Sequence, residues 1–179
     1  MGTKSNLSLV GFMGSGKSTV GQEVARLLRF DFLDSDQLVQ REMGLTVSEI
    51  FEWHGEEEFR KVEKKQIETM VTASKTVWAT GGGAWMDEKV RKILAENSWV
   101  FWLRVSAEQS WKRVSANLSQ RPLLARSGDP FLEIERKLKE RETLYALADY
   151  EISTDNRGPK EVADEIARMI QADHPRILA

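Results

Sequence analysis

The stretch Gly11-Phe12-Met13-Gly14-Ser15-Gly16-Lys17-Ser18 limits what this chain can fold into more than any other feature. It satisfies Gly-x-x-x-x-Gly-Lys-Ser, whose glycines allow backbone angles that turn several amides toward one point. Those amides make an anion nest, and a helix starting near Lys17 adds its positive dipole end at the same place. Such a loop belongs between a strand and a helix. Its flanks comply, with apolar Leu7-Ser8-Leu9-Val10 before it and an amphipathic stretch from Ser18 to Leu28 after it. Gly14, Ser15, Gly16, Lys17, Ser18 and Thr19 are therefore expected to bind the phosphates of ATP. Lys17 reaches the β- and γ-phosphates, the Ser18 hydroxyl ligates a bridging Mg2+, and Thr19 donates toward the α-phosphate.

The same alternation continues along the chain. Leu7–Val10, Phe30–Leu33, Thr76–Ala79, Ser98–Leu103 and Tyr150–Ser153 read as strands. Helical patterns lie between and beyond them at Ser18–Leu28, Glu56–Val71, Glu88–Leu94, Ala107–Val114, Phe131–Leu147 and Lys160–Met169. Strand and helix in turn predict an α/β fold, with a five-stranded parallel sheet covered on both faces. With 179 residues, 41% of them hydrophobic, the whole of 1–179 is expected to form one domain. Thr46 with Glu49, and Ser106 with Gln109, fit the reciprocal capping box of a helix start. Ser119–Pro130, with Pro122, Gly128 and Pro130, interrupts the pattern and reads as a functional loop, a candidate lid. The tail Asp173-His174-Pro175-Arg176 is expected to end its helix at the proline and fray.

Composition narrows the partner. A net charge of -2 with 30% charged residues gives a mixed surface, which favours a small molecule over nucleic acid or an anionic membrane. The chain has no cysteine and only two histidines, His54 and His174, so disulfides, thiolate metal sites, a catalytic thiol and a zinc site are all excluded. Both histidines read as surface residues. The start, Met1 to Asn6, lacks a signal-peptide core and no later stretch is apolar enough to span a membrane, so a soluble cytoplasmic protein is expected. Tryptophans 53, 78, 85, 99, 102 and 111 read mostly as core.

An ATP-binding loop of this kind normally has an aspartate at the end of a neighbouring strand to hold the magnesium. The third strand instead runs into Ala79-Thr80-Gly81-Gly82-Gly83. The acidic partner is then Asp34 or Asp36, at the end of the second strand: one can hold the metal while the other orients an acceptor hydroxyl or takes its proton. A residue at Asp34 or Ser35 that only caps the next helix is the simpler alternative, and compatible with both. Gly81, Gly82 and Gly83 stand at a carboxyl end where open parallel sheets bind ligands, and their bare amides suit close contact with a substrate. Arg60 and Arg141, each on a helical segment, read singly as solvated residues with a carboxylate neighbour; together they can clamp an acceptor carboxylate. Arg121, beside Pro122 in the candidate lid, suits an arginine that neutralises developing phosphoryl charge.

In this order, Gly-x-Met-Gly-x-Gly-Lys-Ser-Thr, Asp34-Ser35-Asp36, Glu58-Phe59-Arg60, Gly81-Gly82-Gly83, Arg121-Pro122-Leu123 and Arg141-x-x-x-Tyr145 resemble the shikimate kinase family. The resemblance runs from Gly11 to about Pro159. It implies the three-layer P-loop kinase fold of the nucleoside-monophosphate-kinase type, with strand order 2-3-1-4-5, an acceptor-binding helical region at about 35–62 and a mobile lid at about 115–128. It implies transfer of the ATP γ-phosphoryl to the 3-hydroxyl of shikimate, a step toward chorismate and the aromatic amino acids, by a cytoplasmic monomer. By the same resemblance Asp34 and Ser18 stand on the magnesium side, and Lys17, Asp36 and Arg121 are catalytic. Arg60 and Arg141 hold the carboxylate, while Asp36 and Gly81 to Gly83 hold hydroxyls. Adenine is expected between Arg113 and Asn156-Arg157-Gly158-Pro159. Trp85 and Met86 depart from the smaller aliphatic residues the family pattern suggests, and Trp111 joins an already tryptophan-rich strand and helix. Two rivals remain: a kinase of another polyol acid, such as a gluconate-type kinase, and an ATP-binding switch with no metabolic acceptor. Asp34-Ser35-Asp36 with the glycine triplet weighs against the first, and two converging arginines against the second.

Overall fold

The computed structural model describes residues 4–120, 124 and 127–178. Strands β1 (Asn6–Val10), β2 (Asp31–Asp34), β3 (Thr76–Ala79), β4 (Ser98–Arg104) and β5 (Tyr150–Ser153) form one sheet. All pairings are parallel, in the order β2-β3-β1-β4-β5. Parallel neighbours need crossovers, and helices supply them. These are α1 (Lys17–Leu28), α2 (Ser35–Met43), α3 (Val47–Trp53), α4 (Gly55–Met70), α5 (Glu88–Asn97), α6 (Ala107–Val114), α7 (Pro130–Tyr145) and α8 (Pro159–Asp173).

Both faces of the sheet are covered, so successive side chains of a strand enter opposite cores. Leu7, Leu9, Val77, Phe101 and Leu103 pack with Val20 and Val24 of α1 and with Ile166 and Ile170 of α8. Val10, Trp78, Val100 and Trp102 face the other way, onto Ile67 of α4, Leu94 of α5, Val114 of α6 and Tyr145 of α7. A smaller cluster of Val39, Ile50, Phe51 and Phe59 joins α2, α3 and α4. In register, Leu9 lies opposite Ala79 and Phe101, and Asp34 opposite Ala79. The carboxyl ends of β2, β3, β1 and β4 thus come flush along one edge.

Local expectations hold at Thr46 and are corrected at Ser106 and in the tail. The Thr46 box is complete: the Thr46 amide donates to Glu49 at 2.8 Å while the Glu49 amide donates to Thr46 Oγ1 at 3.3 Å. At Ser106 only half forms. The Gln109 amide donates to Ser106 Oγ at 3.2 Å, but the Ser106 amide donates to the Asp155 carboxylate at 3.0 Å, and the Gln109 side chain turns to Asn156. A carboxylate is the stronger acceptor, and the exchange ties α6 to the loop after β5. The tail also packs where fraying was expected. Helix α8 stops at Asp173, but Pro175–Leu178 coils into a short 3₁₀ turn that buries Ile177 in the first core. His174, expected at the surface, stacks on Trp99 with ring centroids 3.5 Å apart.

Candidate active site

At the carboxyl edge, Gly11, Gly14 and Gly16 of the phosphate loop have φ of 145°, 75° and 90°, a region costly for other residues. A Cβ at Gly11 would also lie 2.5 Å from the Leu103 carbonyl oxygen. Helix α1 starts with no capping side chain and no acidic residue in its first turn. The positive end of its dipole there favours an anion. Lys17 Nζ bends over this loop, donating to the carbonyls of Gly11 at 2.8 Å and Phe12 at 2.9 Å. The Thr19 hydroxyl donates to the Gly16 carbonyl at 3.0 Å. Ser15 is fully buried within the loop.

Ser18 and Asp34 meet: the serine hydroxyl donates to Asp34 Oδ2 at 2.6 Å. The other oxygen, Oδ1, accepts from the amides of Asp36 at 3.0 Å and Gln37 at 3.3 Å, capping α2. One carboxylate therefore both starts the helix and faces the phosphate loop. Among the described residues no cluster of three or more His, Asp or Glu side chains could hold a metal alone. A hard divalent cation beside Ser18 and Asp34 would complete its shell from phosphate oxygens and water, as Mg2+ prefers.

The glycine turn after β3 adjoins this loop, since a Cβ built on Gly82 would lie 3.5 Å from the Met13 amide nitrogen. None of the three glycines has a positive φ. Crowding favours glycine at two of them: a Cβ at Gly81 would sit 2.0 Å from Glu63 Oε1 and 2.7 Å from Asp36 Oδ1, and one at Gly83 would sit 2.5 Å from Arg60 Nη2. The Gly81 amide donates to the buried Ser35 Oγ at 2.8 Å. Of the three amides expected to face a substrate, that of Gly81 is thus engaged within the fold.

Arg60 has the carboxylate neighbour expected of a surface helix, but that neighbour, Glu63, is only 2% exposed. Arg60 Nη1 donates to Glu63 Oε2 at 2.6 Å, while Oε1 is buried with no hydrogen-bond partner among the described residues. Burial pushes the Glu63 carboxyl up to about 7; Arg60 pulls it back and the nearby Asp36 charge pushes it further. Sequence reading missed Glu63 because its spacing from Arg60 is that of an ordinary solvated pair. Arg141 approaches from α7 and donates from Nη1 to the Gly82 carbonyl at 2.9 Å, with its Cζ 5.6 Å from the Phe12 ring centre. Arg60, Arg141, Glu63, Lys64 and Gly83 line one cleft of about 220 Å³. The two expected arginines, Asp36 and the glycine turn are thereby brought together next to the phosphate loop.

Arg113 lies on the other flank of that loop, donating to the Gly14 carbonyl at 2.9 Å and to Thr154 Oγ1 at 3.1 Å. Arg157 is held near the end of β5 through the Ser153 carbonyl at 3.0 Å and pairs with Glu161 at 2.7 Å; Pro159 is the first residue of α8. Arg121 lies outside the described residues. A larger groove of about 1150 Å³ sits at the opposite, amino-terminal edge of the sheet, lined by Lys4, Trp99 and His174 among others, and contains none of the expected site residues.

A family model described as shikimate kinase matches residues 13–171. The shikimate kinase of Moorella thermoacetica is 45% identical over 167 residues, covering 93% of this chain and 95% of that protein. That of Caldanaerobacter subterraneus subsp. tengcongensis is 42% identical, covering 91% and 94%. The solved structure of the Acinetobacter baumannii shikimate kinase in complex with shikimate superimposes with a TM-score of 0.91 at 35% identity, covering 96% of both chains. A deoxyadenosine kinase from M. mycoides with bound dATP, at 13% identity and a TM-score of 0.60, shares the fold.

Proposed function

The chain belongs to the shikimate kinase family, and from that premise we propose how its own residues transfer the γ-phosphoryl of ATP to the 3-hydroxyl of shikimate. The reading is carried by one observation: the glycine turn abuts the phosphate loop while Asp36, Arg60 and Arg141 gather around that turn. Donor and acceptor halves of a phosphoryl-transfer site thus share a wall. The amides of Gly14 to Thr19 hold the ATP phosphates, and Lys17 neutralises the β- and γ-oxygens. Ser18 and Asp34 hold Mg2+, which when bound screens phosphate charge. Arg113 and the Arg157 to Pro159 loop flank the adenine.

On the acceptor side, Arg60 and Arg141 bind the shikimate carboxylate, and the Gly82 and Gly83 amides bind ring oxygens. Glu63 keeps the Arg60 guanidinium aimed into the cleft. Asp36 accepts a hydrogen bond from the 3-hydroxyl and takes its proton as the new O–P bond forms, while the β–γ bridging oxygen leaves with ADP. Little covalent work is asked of the protein, so positioning and charge neutralisation dominate. Residues 1–179 act as one kinase domain, in which about 35–62 bind the acceptor and about 115–128 form the lid that brings Arg121 over the phosphates. In this reading the enzyme is a cytoplasmic monomer working on diffusing small molecules, without nucleic-acid or membrane partners. A coupled ADP-release assay with Mg2+ over shikimate, quinate, gluconate and nucleoside monophosphates tests it. Shikimate alone should stimulate release strongly; stimulation by gluconate instead, or by none of the panel, would sink the reading.

A further inference from the structure

Trp85 has no part in the roles above, yet it is built into the acceptor site's frame. It is 2% exposed and lies in the 3₁₀ turn Ala84–Met86 that continues directly from the glycine turn. Its indole nitrogen donates to the Leu144 carbonyl at 2.7 Å. Leu144 belongs to the last turn of α7, where carbonyls lack partners within the helix, and its oxygen accepts from the Leu147 amide at 3.2 Å as well as from the indole. Bonds also run the other way. Tyr145 Oη donates to the Gly82 carbonyl at 2.7 Å, and Arg141, one turn earlier, donates to the same oxygen at 2.9 Å. The Trp85 carbonyl accepts from Arg91 of α5 at 2.8 Å, which anchors the turn from behind. A buried indole in this core does not have to find a partner: Trp78, 0% exposed in the same cluster, leaves its N–H without one among the described residues.

We propose that Trp85 and Tyr145 are positioning residues for the acceptor, whose opposed hydrogen bonds lock the glycine turn and the end of α7 into one unit and so fix where Arg141 points. This rests on reading Arg141 as a contact of the shikimate carboxylate. Tyr145 also stacks on Trp102, ring centroids 5.8 Å apart, which holds its hydroxyl in place without help from the bond it makes. Burial pushes that phenol up to about 12, so it stays a donor throughout the range in which the enzyme works. An arginine–carboxylate pair tolerates little misalignment, and freeing either bond lets the last turn of α7 shift against the glycines. The effect falls on substrate binding, because the hydrogen bonds of the unit run between the glycine turn and α7 and none of them engages the phosphate loop.

Trp85→Phe and Tyr145→Phe each delete one donor while keeping most of the aromatic volume. Steady-state kinetics with shikimate and ATP varied separately should show the shikimate KM raised about fivefold to tenfold in each, the value of roughly one lost hydrogen bond. The kcat should stay within about twofold and the ATP KM should not move. The double variant should raise the shikimate KM by less than the product of the two, since both bonds hold one unit. An unchanged shikimate KM in Tyr145→Phe, which removes a single oxygen, overturns the proposal, as does an equal loss for ATP. Arg141→Ala separates the two levels. If it weakens shikimate while both aromatic variants do not, only the positioning role falls; if it leaves the shikimate KM unchanged, the carboxylate assignment falls with it. Should Trp85→Phe not fold, Tyr145→Phe and Arg141→Ala decide the matter alone.

Discussion

At Glu63 burial and charge oppose each other directly. The folded protein holds this carboxyl near 7, above its ordinary value of 4.5, chiefly because the site is dry, with Arg60 working against the shift and Asp36 for it. Between those two values the folded state keeps a proton that the unfolded chain has released, so stability falls as pH rises through this window and stays lowered above it. Glu63→Gln cannot titrate. Thermal unfolding at pH 5.5 and pH 8 should therefore show the variant gaining on the parent as pH rises, other groups cancelling in the comparison. A difference in midpoint that does not change with pH would refute the buried ionisation. The neighbouring Gly81 argues the same geometry sterically. Its added Cβ would be 2.0 Å from Glu63 Oε1 and 2.7 Å from Asp36 Oδ1, inside any real contact. Gly81→Ala should weaken shikimate binding at least about tenfold by displacing both carboxylates, a cost of the order expected for forced overpacking. Calorimetry should find ADP binding within about twofold of the parent; equal loss of both ligands would mean the turn collapses as a whole.

Helix α2 shows how an element and a site come to depend on the same atom pair. Asp34 Oδ1 caps the helix and Oδ2 receives the Ser18 hydroxyl, so the two duties sit on separate oxygens of one side chain. Asparagine caps as well as aspartate but brings no charge. Asp34→Asn should hold the unfolding free energy within about 0.5 kcal/mol, whereas Asp34→Ala should lose about 1 kcal/mol with the cap. Both should cut kcat by roughly 100-fold, the scale of losing one preorganised electrostatic partner. If the asparagine variant instead kept its kcat, Asp34 would be only a cap. Sequence reading placed β2 one residue early, at Phe30–Leu33 rather than Asp31–Asp34, because a terminal aspartate looks like a turn. Only the pairing of Asp34 with Ala79 keeps it in the strand. Helix α2 is short, with Val39 its buried apolar residue, and is held by Ile50, Phe51 and Phe59 from later elements. The strand runs of β3 and β5 were legible to the residue because continuous apolar or alternating stretches bounded by turn residues need no tertiary partner to be read. Glu63 was not legible, since on an acidic and basic helix such as α4 only the missing Cβ of Gly81, from a distant strand end, makes room to bury it.

The whole molecule divides its sheet into a working edge and one where the ends of the described chain are tied together. The carboxyl edge carries the phosphate loop, Asp34 and the glycine turn; at the amino edge the two ends of the described chain meet beside the larger groove. Lys4 pairs with Asp149 at 3.2 Å and lies 4.3 Å from the centre of the Trp99 ring, whose face also stacks on His174. The Tyr150 hydroxyl donates to Asp173 Oδ2 at 2.9 Å and also bonds His174 Nε2 at 2.8 Å. A proline just past a helix says only that the helix stops, and nothing local in His-Pro-Arg-Ile tells that Ile177 will reach a core that includes Leu7, Leu9, Val20, Val24 and Phe101 from far earlier in the chain. Sequence reading therefore assigned the tail to solvent, where the structure uses it as a clasp. Deleting residues 174–179 removes the burial of Ile177 and the stack on Trp99, about 2 kcal/mol in transfer terms. For a chain of this size that is a fall in thermal midpoint of roughly 4–8 °C. Because the clasp and the site lie at opposite ends of the strands, the KM values for shikimate and ATP measured well below the midpoint should be unchanged. A truncated enzyme with an unaltered midpoint would remove the clasp from the account of stability, and one with a raised shikimate KM would show that the two edges are coupled through β1 and β4.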